Sequence, residues 1–359
     1  MTSHDVFSLR HQDFDPSPDE QAVQESFQRF FERESTAEVI RGAEPLGFSQ
    51  ELWEAFVGIG GVEMTSTSGV GGASLVDLAL IGEAFGFHLA PIPFVEASVA
   101  CRLVVRTRPD ALDTFAGLGV HRLTICLQTS QGQASQLVPA GAVSQGVIAL
   151  EDGDLVLAIL ESPLPHVENY ASMAVGRWGD GESVRKRVVL ASGDDARAHY
   201  ATALREWRIL SASALSGLTK RALTTGIDFA KTRMTRGILI GSLQAIAHPL
   251  VDAEIAATAA RNLARKAAWY MDHEPKVRPE LATMAFVAAA QAASRGCATS
   301  VHVQGGIGVS IEADVTLCFN RAKGWSSVGG DPVTSLDAVA PTLMARAEVA
   351  PRSAAVAGS

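Results

Sequence analysis

The stretch FAKTRMTRGILIGSLQAIAHPLVD, residues 229–252, sets two arginines and two glycines between segments of helical pattern. Arg233 and Arg236 stand at the C-terminal end of one helix, Gly237 breaks it, and SLQAI opens the next after Gly241. Two readings fit these residue types. In one, the arginines cap the free carbonyls ending the first helix of an ordinary helical hairpin. In the other, an arginine is aimed at a phosphate, which its planar fork binds bidentately. Composition leaves both open.

A second stretch, SVHVQGGIGVSIEADV at 300–315, has the same character. Gly305, Gly306 and Gly308 follow a long alanine-rich helix, RPELATMAFVAAAQAASRGCATSVHV. Glycine this dense costs backbone entropy and marks a place where something approaches the main chain.

Moving outward, the chain divides into three zones. Residues 1–118 carry helical patterns. Ser17 caps a helix with Pro18 at its first position, and Phe27, Phe30 and Phe31 form its apolar stripe. Ser49 caps a second, with Gly60 and Gly61 as its stop, and a further pair is divided by Pro91 and Pro93. Residues 119–196 switch to short β-rich runs, with an Asp-Gly hairpin turn in ALEDGDLVLAI, and predict a small antiparallel β-domain. Residues 197–345 return to helices. Leu204, Trp207, Leu210, Ala214 and Leu218 share one face, and Val251, Ile255, Ala259 and Leu263 share another. Residues 346–359 are expected to be a disordered tail.

Composition excludes several functions. A net charge of −9 argues against nucleic acid as the main partner, although a few arginines can still hold a phosphorylated cofactor. The four cysteines, Cys101, Cys126, Cys297 and Cys318, have no paired spacing and are expected to be buried, reduced thiols. The N-terminus has no hydrophobic signal core, and no apolar run approaches the roughly 20 residues of a membrane span, so a soluble cytoplasmic protein is expected. The nine histidines form no metal-ligand motif, and neither a GxSxG elbow nor a GxxxxGK[ST] loop occurs. SGVGGAS, at 68–74, is read as a loop, because no strand precedes it.

The two glycine-bearing stretches together resemble the acyl-CoA dehydrogenase family. FAKTRMTRGILIGSLQAIAHPLVD is similar to its segment of an arginine, a Phe-Gly, an Ile-Gly and a Phe-Gln before a helix. HVQGGIGVSIEADVTLCFNRAK is similar to its Gln-x-x-Gly-Gly segment. The resemblance covers nearly the whole chain and implies a mainly α fold: an N-terminal helical domain, a middle antiparallel β-domain and a C-terminal four-helix bundle. It also implies FAD at a subunit interface, with one subunit holding the ring, acyl-CoA and catalytic base while the other grips the pyrophosphate and adenosine half. For that tail half the resemblance points to Arg233, Gln244, Gly305 and Gly306, with Gln304 beside them. His302 stands in place of the loop's leading Gln, and Arg236 in place of the usual Phe.

The other half departs from the family. The segment TICLQTSQGQASQLVPAGAVSQGVIAL lacks the family's ring-binding signatures, and Ser130, Ser135 and Gln136 are read as decorating a loop. The family's glutamate base occupies one of two positions, which here fall on Gly329 and Trp207. Glu206 is a neighbouring weak candidate, but an offset of one residue turns a helical side chain by about 100°. Asp331, near Gly329, is a still weaker candidate, its other reading being a turn-former before Pro332. The chain thus resembles the short, non-catalytic β subunits of actinobacterial α2β2 steroid-CoA dehydrogenases, whose partner subunit supplies the base. That implies an FAD-dependent enzyme of sterol or cholesterol breakdown, active as a heterotetramer. A self-sufficient homo-oligomer using Glu206, or a purely structural partner of another dehydrogenase, are the alternatives.

Overall fold

In a computed structural model, residues 14–66, 72–108, 122–128, 135–179 and 184–349 are described; Ser130 and most of SGVGGAS lie outside them. The first six helices are α1 (Pro18–Glu34), α2 (Ala37–Gly42), α3 (Gln50–Gly58), α4 (Glu63–Ser66), α5 (Leu75–Phe87) and α6 (Phe94–Thr107). Ser17 and Glu20 form a reciprocal capping box at α1, and Ser49 accepts the Leu52 N–H at α3. Phe27, Phe30 and Phe31 are buried against Phe56 and Phe85.

The strands are β1 (Leu123–Ile125), β2 (Ser135–Val138), β3 (Gly146–Glu151), β4 (Asp154–Leu160), β5 (Gly176–Gly179) and β6 (Val184–Ser192). The hairpin in ALEDGDLVLAI is present, with Asp152 (φ 48°) and Gly153 (φ 93°) both left-handed as a type I′ turn requires. The sheet is not purely antiparallel, however. Its order is β1-β3-β4-β6, and β1 runs parallel to β3, because β2 and its connections carry the chain across before β3 begins. Ser135 and Gln136 belong to β2, paired with β5, and do not decorate a loop.

Four helices form the C-terminal bundle: α7 (Gly193–Thr232), α8 (Gln244–His273), α9 (Leu281–Gln304) and α10 (Asp314–Ser327). A last helix, α11 (Val339–Val349), runs into the stretch expected to be tail, and residues 350–359 lie outside the described chain. The α8 face also departs from expectation. Ala253, Ala257, Ala260, Ala264 and Ala267 turn inward, while Val251 and Ile255 are 56% and 63% exposed. Small residues win the interior because they let helices approach closely. At one crossing, a Cβ on Gly86 of α5 would lie 1.9 Å from the Ala214 carbonyl oxygen of α7. Ion pairs and caps pin the N-terminal helices to the bundle: the Asp272 carboxylate accepts the Leu75 and Val76 N–H groups opening α5, each at 3.0 Å.

Candidate functional site

The segment that opened the sequence reading is more than a helix break. After α7, β7 (Met234–Thr235) and β8 (Ile238–Leu239) form a miniature hairpin. Its tip is Arg236 (φ 47°) and Gly237 (φ 82°). A non-glycine residue in that region is uncommon, which is why the sequence shows only a stop. The Arg233 carbonyl accepts the Ile240 N–H at 2.9 Å, closing the hairpin before α8 begins at Gln244.

The second glycine-rich segment lies at the same end of the bundle. Val303 of α9 packs in one cluster with Leu223 and Ala230 of α7, Leu250, Ala253 and Ala257 of α8, and Ile240. The three glycines divide by role. A Cβ on Gly308 would lie 2.5 Å from the Val301 carbonyl oxygen, so this glycine serves packing. At Gly305 and Gly306 a Cβ would meet nothing within 4 Å, leaving bare backbone open to a ligand. Gly305 also has φ 60°, and its N–H closes α9 onto Val301 and His302.

The side chains of Arg233, Arg236, Gln244 and His302 are exposed and make no hydrogen bond or ion pair with the described residues. Nε2 of Gln304 is buried without a partner. Two unspent guanidinium groups, an orphaned amide and open backbone fit a phosphate-bearing cofactor tail. On the same chain segments, the large apolar side chains Met234, Ile238, Val251, Ile255, Ile307 and Ile311 are all exposed.

The two base positions meet at a different place. Trp207 is buried, touches Phe286 with ring centroids 5.3 Å apart, and lines a cavity of about 80 Å³. A Cβ on Gly329 would lie 2.8 Å from the Trp207 ring. The tryptophan therefore fills the space that a missing side chain at Gly329 leaves, and neither position carries a carboxylate. Glu206 points elsewhere: it is 2% exposed, held by Arg106 at 2.9 Å and Arg102 at 3.4 Å, and does not line the cavity. Asp331 is exposed and accepts the Val333 N–H at 2.9 Å, the bond of a turn-former.

Glu96 of α6 was missed from the sequence. It lines the cavity beside Trp207, whose indole N–H reaches its Oε1 at 3.5 Å. Burial pushes its carboxyl above the ordinary value, against a weaker pull from hydrogen bonds to its backbone and to Trp207. A lone acid within an otherwise apolar helical face, FVEASVACRLV, was the available signal. Ser135 and Gln136 line a separate open cleft of about 790 Å³ between the strands and α10. Among the described residues, no cluster of His, Cys, Asp and Glu is placed to hold a metal, and no helix is long and apolar enough to cross a membrane. All four cysteines are buried and none is in a disulfide.

Comparison with known proteins agrees with this architecture. Residues 198–343 match the family described as acyl-CoA dehydrogenase, C-terminal domain. The acyl-CoA dehydrogenase IpdE2 of Mycobacterium tuberculosis is 27% identical over 316 residues, 86% of this chain and 92% of its own length. The crystal structure of the ChsE4-ChsE5 complex from Mycobacterium tuberculosis aligns with a TM-score of 0.78 at 23% identity, covering 92% of this chain and 99% of that one. The Tcur3481-Tcur3483 steroid ACAD, a G363A variant, aligns with a TM-score of 0.80 at 20% identity, over 92% and 99%. The fold is thus that of the acyl-CoA dehydrogenases, helices around a small sheet. Residues 198–343 thus carry the C-terminal domain of the acyl-CoA dehydrogenase family, and the chain is similar to acyl-CoA dehydrogenases along most of its length.

Proposed function

We propose that this chain is an obligate subunit of a heteromeric, FAD-dependent acyl-CoA dehydrogenase, holding the pyrophosphate and adenosine half of a flavin whose ring lies against a partner of the same fold. The observation that carries the proposal is the Trp207–Gly329 contact, where neither base position has a carboxylate and the space is filled. Helix geometry adds a second support. Arg233 lies 26 residues beyond Trp207, about 39 Å along α7 at 1.5 Å per residue, farther than one extended dinucleotide reaches. The tail-holding residues therefore serve a reaction centre on another chain.

FAD, when bound, accepts the hydride that leaves the β-carbon of the acyl thioester. This chain's residues would do the holding: the Arg233 and Arg236 forks would bind the phosphates, Gln244 and Gln304 would offer amides, and Gly305–Gly306 would let the tail lie against bare backbone. His302 adds a donor or acceptor at the same edge. The exposed apolar side chains around them supply the surface a partner subunit would cover. A steroid side-chain CoA thioester is the proposed substrate, by analogy with the structural relative described as a steroid ACAD. The cavity at the two base positions, about 80 Å³, is well below the roughly 300–1,000 Å³ of ordinary ligand pockets, so the reacting acyl group is assigned to the partner.

Co-expression with a same-fold dehydrogenase from the same source, followed by Arg233→Ala, tests the assignment. Flavin bound per purified complex should fall at least tenfold with assembly intact. Unchanged flavin content would instead favour a purely structural partner. A self-sufficient enzyme using Glu206 is disfavoured by the grip of Arg102 and Arg106 on its carboxylate.

A further inference from the structure

A second polar pocket lies on the other face of α7. Its volume is about 390 Å³, and Arg205, Arg208, Glu280, Thr283 and Thr342 supply its polar lining. Arg205 and Arg208 are three residues apart and therefore neighbours on one helix face. Both are half-buried. Arg205 gives one N–H to the Thr202 hydroxyl at 3.0 Å, while its Nε is buried with no partner. Arg208 makes no side-chain hydrogen bond or ion pair with the described residues. The Glu280 carboxylate is engaged by Arg278 at 2.5 Å, and the nearby Glu206 by Arg102 and Arg106. Neither Arg205 nor Arg208 forms an ion pair of its own with a carboxylate among the described residues, although the Glu206 charge acts on Arg205. Thr283 is 8% exposed, and its hydroxyl, in the pocket lining, has no hydrogen-bond partner among the described residues.

Two half-buried guanidinium groups side by side, one with a buried Nε that has no partner, are costly unless an anion completes them. Burial lowers the pKa of both arginines, opposed at Arg205 by the neighbouring Glu206 charge and at Arg208 by Tyr200. Ala201, Leu204, Pro279 and Val339 form an apolar wall beside them. The geometry points to a phosphate-binding site here, in which Arg205 and Arg208 grip a phosphate dianion and Thr283 donates to it. The pocket exceeds what one free phosphate fills, so a phosphate monoester, whose organic remainder would lie on the apolar wall, shares the same chemistry. This site does not depend on the flavin assignment, which rests on the far end of α7.

Calorimetric titration of the full chain with inorganic phosphate, at constant ionic strength, tests the site. Saturable one-site binding is expected, weakened at least tenfold in Arg208→Gln and in Arg205→Gln and unchanged in Arg185→Gln on the exposed edge of β6. Thr283→Val, which keeps shape and removes only the hydroxyl, should weaken binding severalfold and guards against arginine variants that fail to fold. Parallel titrations with CoA and dephospho-CoA separate the sources. Tighter binding of CoA, weakened by the same variants, identifies an ester phosphate, whereas saturable phosphate binding with neither CoA nor dephospho-CoA bound identifies free phosphate. Absence of saturable phosphate binding, or binding indifferent to all three pocket variants, overturns the proposal.

Discussion

The two ends of α7 have been treated in opposite ways. Near Trp207, potential ligand space is closed: an indole fills it, Gly329 makes room for the indole, and the neighbouring Glu206 is spent on two arginines. At the far end, polar groups stay unspent and backbone stays bare around Arg233, Gln244 and Gly305–Gly306. Filling an interior stabilises the chain, whereas exposed unpaired arginines and uncovered apolar side chains do nothing for its own fold. The contrast separates residues that hold the subunit together from residues kept for something outside it.

Substitutions at the closed end should act on stability alone. Trp207→Ala is expected to cost about 3–5 kcal/mol, the range for emptying a large aromatic site, measured by denaturant unfolding. Glu206→Gln comes next, at roughly 3 kcal/mol, because Arg102 and Arg106 lose the carboxylate compensating them. Flavin bound per folded complex should hold in both, and a specific loss in Glu206→Gln would break the division between the two ends. The open end should behave inversely. Gly306→Ala is expected to change stability by less than about 0.5 kcal/mol, since the added Cβ meets nothing within 4 Å. The same methyl should crowd the cofactor tail and lower flavin retention severalfold.

The smallest effect concerns Glu96. Its folded pKa is raised by burial, so its contribution is fully present below the ordinary value of 4.5 and is lost as pH rises through the folded value. Glu96→Gln stays neutral throughout. The thermal stability of the variant should therefore gain on that of the parent as pH climbs from 4.5 towards 8, and a constant difference would show that Glu96 is not a buried neutral acid.

Much of this was legible before folding, and the exceptions share a cause. Ser17, Ser49 and the Asp152–Gly153 turn act within a few residues, so local chemistry sufficed. The α8 stripe was misjudged because periodicity favours Val251 and Ile255, whereas close packing against α7 and α9 selects alanine. Parallel pairing of β1 with β3 joins strands that are not consecutive, and only tertiary structure shows it. The hairpin at Arg236 was hidden because arginine rarely takes a left-handed conformation. Resemblance marked Trp207 and Gly329 as two separate places for a base, and the fold brings the two positions into contact. Glu96 had only the weak signal of an acid on an apolar face.

The most direct measurement is the flavin-to-chain ratio, with turnover, for this chain purified alone and together with a same-fold dehydrogenase partner. The expected result is little flavin and no acyl-CoA dehydrogenation alone, and one flavin per pair with turnover in the complex. Stoichiometric flavin and sustained turnover by this chain alone would contradict the division between its two ends.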